Sequence, residues 1–480
     1  MPHEPAHARP TSASPDPRPL LTEALQGFAG DYAELRYHRK RTRTVAVERG
    51  RVDQARASEH TGVGVRVMVD GALGFATTSD LEAGAIRTAL DEATRAARAS
   101  ARAARGPRRT PPPRTALAVG RFEAPGVDDV ALRPLGEALD LTLRLEERAR
   151  AASARIASAS CAYNEILEEK GIVTSDGASA WTRLVRPEFR VSAVASEGGE
   201  MQRGGRSIGA TGSWDCMFRA GSAEALVDEA ARMAVDLLSA GFPDAGRRKL
   251  LLSPALVGLL AHEAIGHTVE ADFVRAGSCA AATPGPRLAS DLVNLCDSGA
   301  SPYDDGASGM LHVDDEGVLT QDVTIIREGR LASYLHDRES AAHFEVAPTG
   351  NSRAWEYDDE PLIRMRNTFV MPGESSLEEM IAGIDDGLML DGASNGQADA
   401  NGEFMFGTRQ AWPIKNGKLG PLQRGVNISG LAFDVLSTVD AVSSDFRWEL
   451  GAGYCGKGQP AKVDAGGPWL ACTMLVGSRA

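Results

Sequence analysis

Six consecutive residues carry the clearest chemical potential of this chain: His262-Glu263-Ala264-Ile265-Gly266-His267. Neutral imidazole is a common zinc ligand, and a glutamate beside such a ligand can serve as general base on metal-bound water. The spacing is not that of H-E-x-x-H, which sets both histidines on one helix face. One extra residue separates them here. At about 100° per residue, the two side chains stand about 140° apart on an ideal helix. They reach one ion only if the helix ends, bulges or loosens between them, and Gly266 is the residue that would permit this.

A catalytic zinc site needs a third protein ligand and one position left for water. Two residues qualify. Glu270 follows His267 by three residues and can join locally, or it can orient His267 from behind. Cys455 sits in the glycine-rich run Gly451-Ala452-Gly453-Tyr454-Cys455-Gly456-Lys457-Gly458. The glycines allow close backbone approach, and Lys457 could lower the thiol's pKa. Residue chemistry alone leaves both candidates open.

Other motifs have plainer readings. Asp314-Asp315-Glu316-Gly317 lacks the loop length and flanking helices of a calcium-binding hand and reads as a turn between strands. Gly350-Asn351-Ser352-Arg353-Ala354 and Arg364-Met365-Arg366-Asn367-Thr368 combine turn formers with basic side chains. They either face a substrate or pair with nearby acids.

Composition bounds what these residues can belong to. The chain has 480 residues, 43% hydrophobic and 24% charged, which is ordinary for a globular protein with room for more than one domain. Its net charge of -13 argues against a nucleic-acid binder that relies on overall basicity. No apolar run is long enough to span a membrane. The six cysteines form no C-x-x-C pair and read as reduced thiols. Residues 1–20 lack a signal peptide's apolar core, so they read as a disordered leader on a cytoplasmic protein.

The elements that must position the motif follow from periodicity. Strands are expected at 32–37, 44–48 and 62–69, then a helix at 81–105. That helix carries Arg95, Arg98 and Arg102, read as a solvated face. A proline-rich linker follows at 106–115, a helix at 132–152, strands across 155–210 and a helix at 223–240. Residues 241–248 are rich in breakers and mark the domain boundary. A strand at 250–252 leads into the helix of the histidine motif, and a capped helix is expected at 376–384. The fold class is α+β in two domains: an N-terminal mixed domain (21–245) and a β-rich C-terminal domain (246–480) carrying the metal-binding helix.

These motifs together resemble the TldD/PmbA family of metallopeptidases. The likeness covers nearly everything after residue 25. It is most specific at His262 to His267 with Glu270-Ala271-Asp272-Phe273, and it includes Asp314 to Gly317, Gly350 to Ala354, Arg364 to Thr368, Gly402-Glu403-Phe404 and Cys455-Gly456-Lys457. The resemblance implies His262, His267 and Cys455 as ligands of Zn2+, Glu263 as general base, and a TldD-like subunit. It also implies a homodimer, or a heterodimer with a TldE/PmbA-like paralogue, around a cavity that admits short or unfolded peptides. The chain departs from the family's form at 391–401 and in Cys455-Gly456-Lys457-Gly458-Gln459, loops expected to contact substrate. The expected function is a zinc-dependent peptidase, its peptide substrate bound extended at a sheet edge. The alternatives are a non-catalytic scaffold with a structural metal, or a hydrolase tailoring peptide-derived metabolites. Neither nucleic acid nor membrane is an expected partner.

Overall fold

Two sheet systems, joined near residue 240, build the molecule. The computed structural model describes residues 14–103, 109, 112, 115–218, 221–281 and 285–478. Residues 1–13 of the expected leader, and most of the expected linker at 106–115, lie outside the described residues.

The front unit is one seven-stranded sheet: β1 (Tyr32–Glu48), β2 (Arg51–Val69), β3 (Ala72–Thr78), β4 (Val119–Glu123), β5 (Ile156–Thr174), β6 (Ser179–Glu197) and β7 (Glu200–Gly209). The order is β3-β2-β1-β5-β6-β4, with β7 also on β6. All neighbours are antiparallel except the β4–β6 pair. Strands β1 and β2 run much further than expected. The outer half of β2, residues 51–58, is polar and largely exposed, so no buried face marks it in the sequence. The second half of β5 is buried at every residue, because helices cover one face and the rear unit the other.

Helix Ala83–Ala103 packs Ile86, Ala89, Leu90, Ala93 and Ala97 inward, a spacing of three and four residues that makes one apolar stripe. Arg95, Arg98 and Arg102 lie exposed on its outer side. The leader expectation needs correction. Helix Arg18–Leu25 starts within it, buries Leu21 and Ala24, and has proline at its first turn. Ahead of it, Ser14 donates to Glu169 at 2.6 Å. These contacts tie residues 14–20 to the sheet.

The rear unit places the histidine-bearing helix between two sheets. One has seven strands, including Gly246–Leu252, Asp386–Ala398, Glu403–Lys415, Val426–Leu431 and Leu470–Ser478. The other has six, including Leu295–Ser298, Asn367–Val370 and Asp464–Gly467. Leu256, Val257, Leu260, Ala261, Ala264 and Ile265 of the helix share one core with Leu250, Leu388, Phe404 and Phe406 from one sheet and Leu295 and Val370 from the other. Gly258 lets the helix touch the backbone at Ala465, where a Cβ would come within 2.8 Å. Helix Leu377–Ala382 begins with a reciprocal cap between Ser376 and Glu379. Among the described residues, no helix is long and apolar enough to cross a membrane.

A buried ionic layer joins the units. Lys170 of β5 donates to both carboxylate oxygens of Asp315 at 2.9 Å, and Arg66 of β2 pairs with Glu316. The Asp314 to Gly317 segment is indeed a turn: Asp314 accepts from the backbone N–H of Glu316 and Val318, and Gly317 has φ +78°.

Candidate metal centre

The helix Pro254–Leu259 does not continue as an α-helix. Over Leu260–Gly266 it widens into a π-helix, and His267–Val269 then tightens into a 3₁₀ turn. The backbone N–H of His267 donates to the carbonyl of His262. This five-residue hydrogen bond brings residues i and i+5 one above the other, which an α-helix cannot do. The two imidazoles stand 5.3 Å apart, centre to centre. The extra residue in the motif is therefore absorbed by the wide turn.

Gly266 plays a different part from the expected one. Its φ of -54° and ψ of -46° are ordinary helical values. What the glycine provides is space: a Cβ there would overlap the sulfur of Met365.

Cys455 arrives from a hairpin, Tyr454–Lys457 paired with Gln459–Lys462 and turned at Gly458, where φ is +73°. Alternation along the strand turns buried Cys455 toward the helix and exposed Tyr454 away from it. Arg364, fully buried, fixes the hairpin by donating to the carbonyls of Cys455 and Gln459, both at 2.7 Å. Cys455 Sγ lies 3.2 Å from His267 Nε2. Among the described residues, His262, His267 and Cys455 form a cluster whose ligand atoms all lie within 4.8 Å of one another.

Glu270 lies on the other side of the ring. It is buried, and its Oε2 sits 3.2 Å from His267 Nδ1. It thus holds the imidazole from behind and fixes which nitrogen faces Cys455. Lys457 does not touch the thiol. Its Nζ donates to Glu270 at 2.9 Å, Asp272 at 2.8 Å and the Ile363 carbonyl at 3.1 Å. Glu263, on the partly exposed side of the helix, has Oε2 3.9 Å from His267 Nε2, the same ring edge that meets Cys455.

The electrostatics follow from these contacts. Burial pushes the Cys455 thiol up, but His262 and His267 outweigh it and bring the pKa down to about 5. Burial also opposes charge on His267, yet Cys455 and Glu270 lift it to about 10. Among the described residues, neither ring nitrogen of His262 has a hydrogen-bond partner within hydrogen-bonding geometry, although the residue is only 1% exposed. A buried imidazole left unsatisfied is costly. Two imidazoles and a thiolate converging on one point, with an acid beside them, make a donor set that suits a zinc ion with one open position.

The other singled-out motifs are architectural. Arg353 and Arg364 bond backbone carbonyls and not acids. Arg366 pairs at 2.8 Å with Asp297, which also accepts from Asn351 and Thr368. Asp297 escaped sequence reading, and its only signal is an acid inside the short strand Leu295–Ser298. Residues 391–398 belong to a long strand paired with Glu403–Lys415.

Comparison with known proteins places the chain in a family. Family models match in three segments: "PmbA/TldA metallopeptidase domain 1" at residues 33–101, the "central domain" at 129–238 and the "C-terminal domain" at 245–477. The first two fall within the single front sheet. A protein from Methanothermobacter thermautotrophicus named "Metalloprotease" is 32% identical over 91% of this chain and 93% of its own length. A "Zinc metalloprotease TldD homolog" from Saccharolobus solfataricus is 35% identical over 50% of this chain and 54% of its own. The crystal structure of TldE from Thermococcus kodakarensis shares the fold, with a TM-score of 0.74 at 17% identity over 94% of this chain and 97% of that one. The chain belongs to the PmbA/TldD family of metallopeptidases.

Proposed function

We propose that the chain is a zinc-dependent peptidase whose His262, His267 and Cys455 hold the ion and whose Glu263 is the general base. The observation that carries this reading is the convergence of the three ligand atoms within 4.8 Å, made possible by the wide helical turn. The Saccharolobus relative, a zinc metalloprotease by name, supports zinc as the metal. When bound, zinc supplies a Lewis acid that polarises a carbonyl and brings the pKa of bound water toward neutrality. In this reading Glu263 accepts a proton at its carboxylate and returns it to a leaving amine; its position 3.9 Å from His267 Nε2 supports that role. Glu270 and Lys457 keep the His267 ring in one orientation. Arg364 keeps Cys455 at hand.

The substrate class in this reading is a short or unfolded peptide bound in extended form. The chain is the TldD-like subunit of a homodimer, or of a heterodimer with a TldE-like paralogue; the fold shared with TldE supports that pairing. A cytoplasmic setting fits the six cysteines, all unbridged. The test is Glu263→Ala, assayed for bound zinc and for cleavage of a peptide library. Retained zinc with lost cleavage is expected. Normal cleavage by the variant would overturn the proposal.

A further inference from the structure

The hairpin that carries Cys455 rests on the front sheet through one row of residues. Asn164 of β5, Glu188 of β6 and Gly209 of β7 are paired neighbours across the strands, so they share the face that meets the rear unit. Glu188 is buried. Its Oε1 accepts from the hydroxyl of Tyr454 and, at 2.7 Å, from Lys462 Nζ. Tyr454 and Lys462 are partners across the hairpin, so one carboxylate oxygen holds both of its strands. Asn164 Nδ2 donates to the same Tyr454 hydroxyl at 3.3 Å. Gly209 lies against Gly451, where the glycine-rich run begins. A Cβ on Gly209 would come within 2.2 Å of the Gly451 carbonyl oxygen. Lys462 Nζ donates to that carbonyl as well, at 2.7 Å.

We propose that Glu188 is a positioning residue of the metal centre, seating the Cys455 hairpin from the front unit; the inference rests on the reading of His262, His267 and Cys455 as the zinc ligands. Alternation along the strand puts Tyr454 and Cys455 on opposite faces, so the point where Tyr454 is held fixes where the thiol stands. Arg364 holds the hairpin by its carbonyls from within the rear unit. Glu188 holds it by its side chains from the other unit. It touches no ligand atom and acts through Tyr454 and Lys462, in the way that groups behind a metal's ligands orient them. Two ligands come from the rear unit's own helix, and the third is set in place by the front sheet. Metal binding is thereby coupled to the docking of the two units, and the coupling is reciprocal.

The experiment titrates the full metal-free chain with cobalt(II) against a competing chelator, the thiolate-to-cobalt charge-transfer band reporting on Cys455. Wild type is compared with Glu188→Gln and with Glu165→Gln. Glu165 is a buried carboxylate on the other face of the front sheet, paired with Arg43 at 2.6 Å. Loss of stability alone would affect both variants and leave affinity in place. The inference predicts that Glu188→Gln binds cobalt about 10-fold or more weakly, while Glu165→Gln binds as wild type does. Wild-type affinity in Glu188→Gln, or equal weakening in both variants, overturns it. If Glu188→Gln does not fold, Tyr454→Phe at the partly exposed end of the contact decides: weaker binding supports the inference and unchanged binding overturns it. A wild-type chain that binds cobalt without the thiolate band overturns the proposed ligand set itself, and this inference with it.

Discussion

Lys457 Nζ stands 2.9 Å from Glu270 Oε2, and the same oxygen stands 3.2 Å from His267 Nδ1. One lysine therefore ties the strand that brings Cys455 to the carboxylate that orients His267. The two halves of the site are 188 residues apart in sequence, and this clasp is what registers them. Groups that orient metal ligands typically change affinity by about 10- to 100-fold when removed. Lys457→Met is expected to weaken zinc by an amount in that range, with the fold retained. Competition with a chelating dye of known affinity measures this. Unchanged affinity would show that the clasp does not position the ligands.

The packing at Gly266 makes a separate prediction. A methyl group there meets Met365, so Gly266→Ala should destabilise by about 1–3 kcal/mol, as overpacking does. Gly84, near the start of the helix Ala83–Ala103, has open space around it. Gly84→Ala should instead stabilise, by up to about 1 kcal/mol. Urea unfolding of the two variants gives opposite signs if space, and not backbone freedom, is what Gly266 provides.

Much of this was legible in the sequence, and the misses share a cause. Helix stripes, the cap at Ser376 and the turn at Gly317 depend on near neighbours, so local pattern reveals them. The histidine motif showed that a regular helix could not serve, but not which distortion would. The wide turn, closed by the bond from His267 to His262, forms in a helix buried between two sheets, and distant residues supply that packing. Lys457 was read as the thiol's neighbour because it is close in sequence; it shares the face of Cys455, but its long side chain reaches past the thiol to Glu270 and Asp272. The arginines of 350–366 stayed ambiguous because their partners, chiefly backbone carbonyls and Asp297, come from distant strands. The polar half of β2 carried no buried face to mark it.

Asp297 holds that arrangement together. It is fully buried and accepts from Arg366, Asn351 and Thr368. Asp297→Ala leaves Arg366 buried without its partner, and such losses cost about 3–5 kcal/mol. The same measurement on Asp386→Ala, whose carboxylate pairs with Arg248 and Lys415 at the surface, should give at most about 1 kcal/mol. Similar values for both would contradict the hub.

Acid should weaken the protein through its buried histidines. Burial, followed by Lys170, brings His38 down to about 4, and burial brings His336 to about 4. Their folded values lie below the unfolded one of about 6.5. The unfolded chain therefore takes up protons first as pH falls. The stability contributed is complete above pH 6.5 and is lost on descent toward pH 4. For His38 the full loss is about 3 kcal/mol. His38→Gln should show a shallower fall in unfolding free energy between pH 6.5 and 4 than wild type. An identical slope would mean that His38 does not titrate in this way.

The most direct test of the metal centre is X-ray absorption at the zinc edge on the purified, zinc-loaded chain. The proposed ligands predict one sulfur at about 2.3 Å and two imidazole nitrogens at about 2.0–2.1 Å, with one further light atom completing the shell. A first shell without sulfur, or one closed by four protein ligands, would contradict the proposed centre.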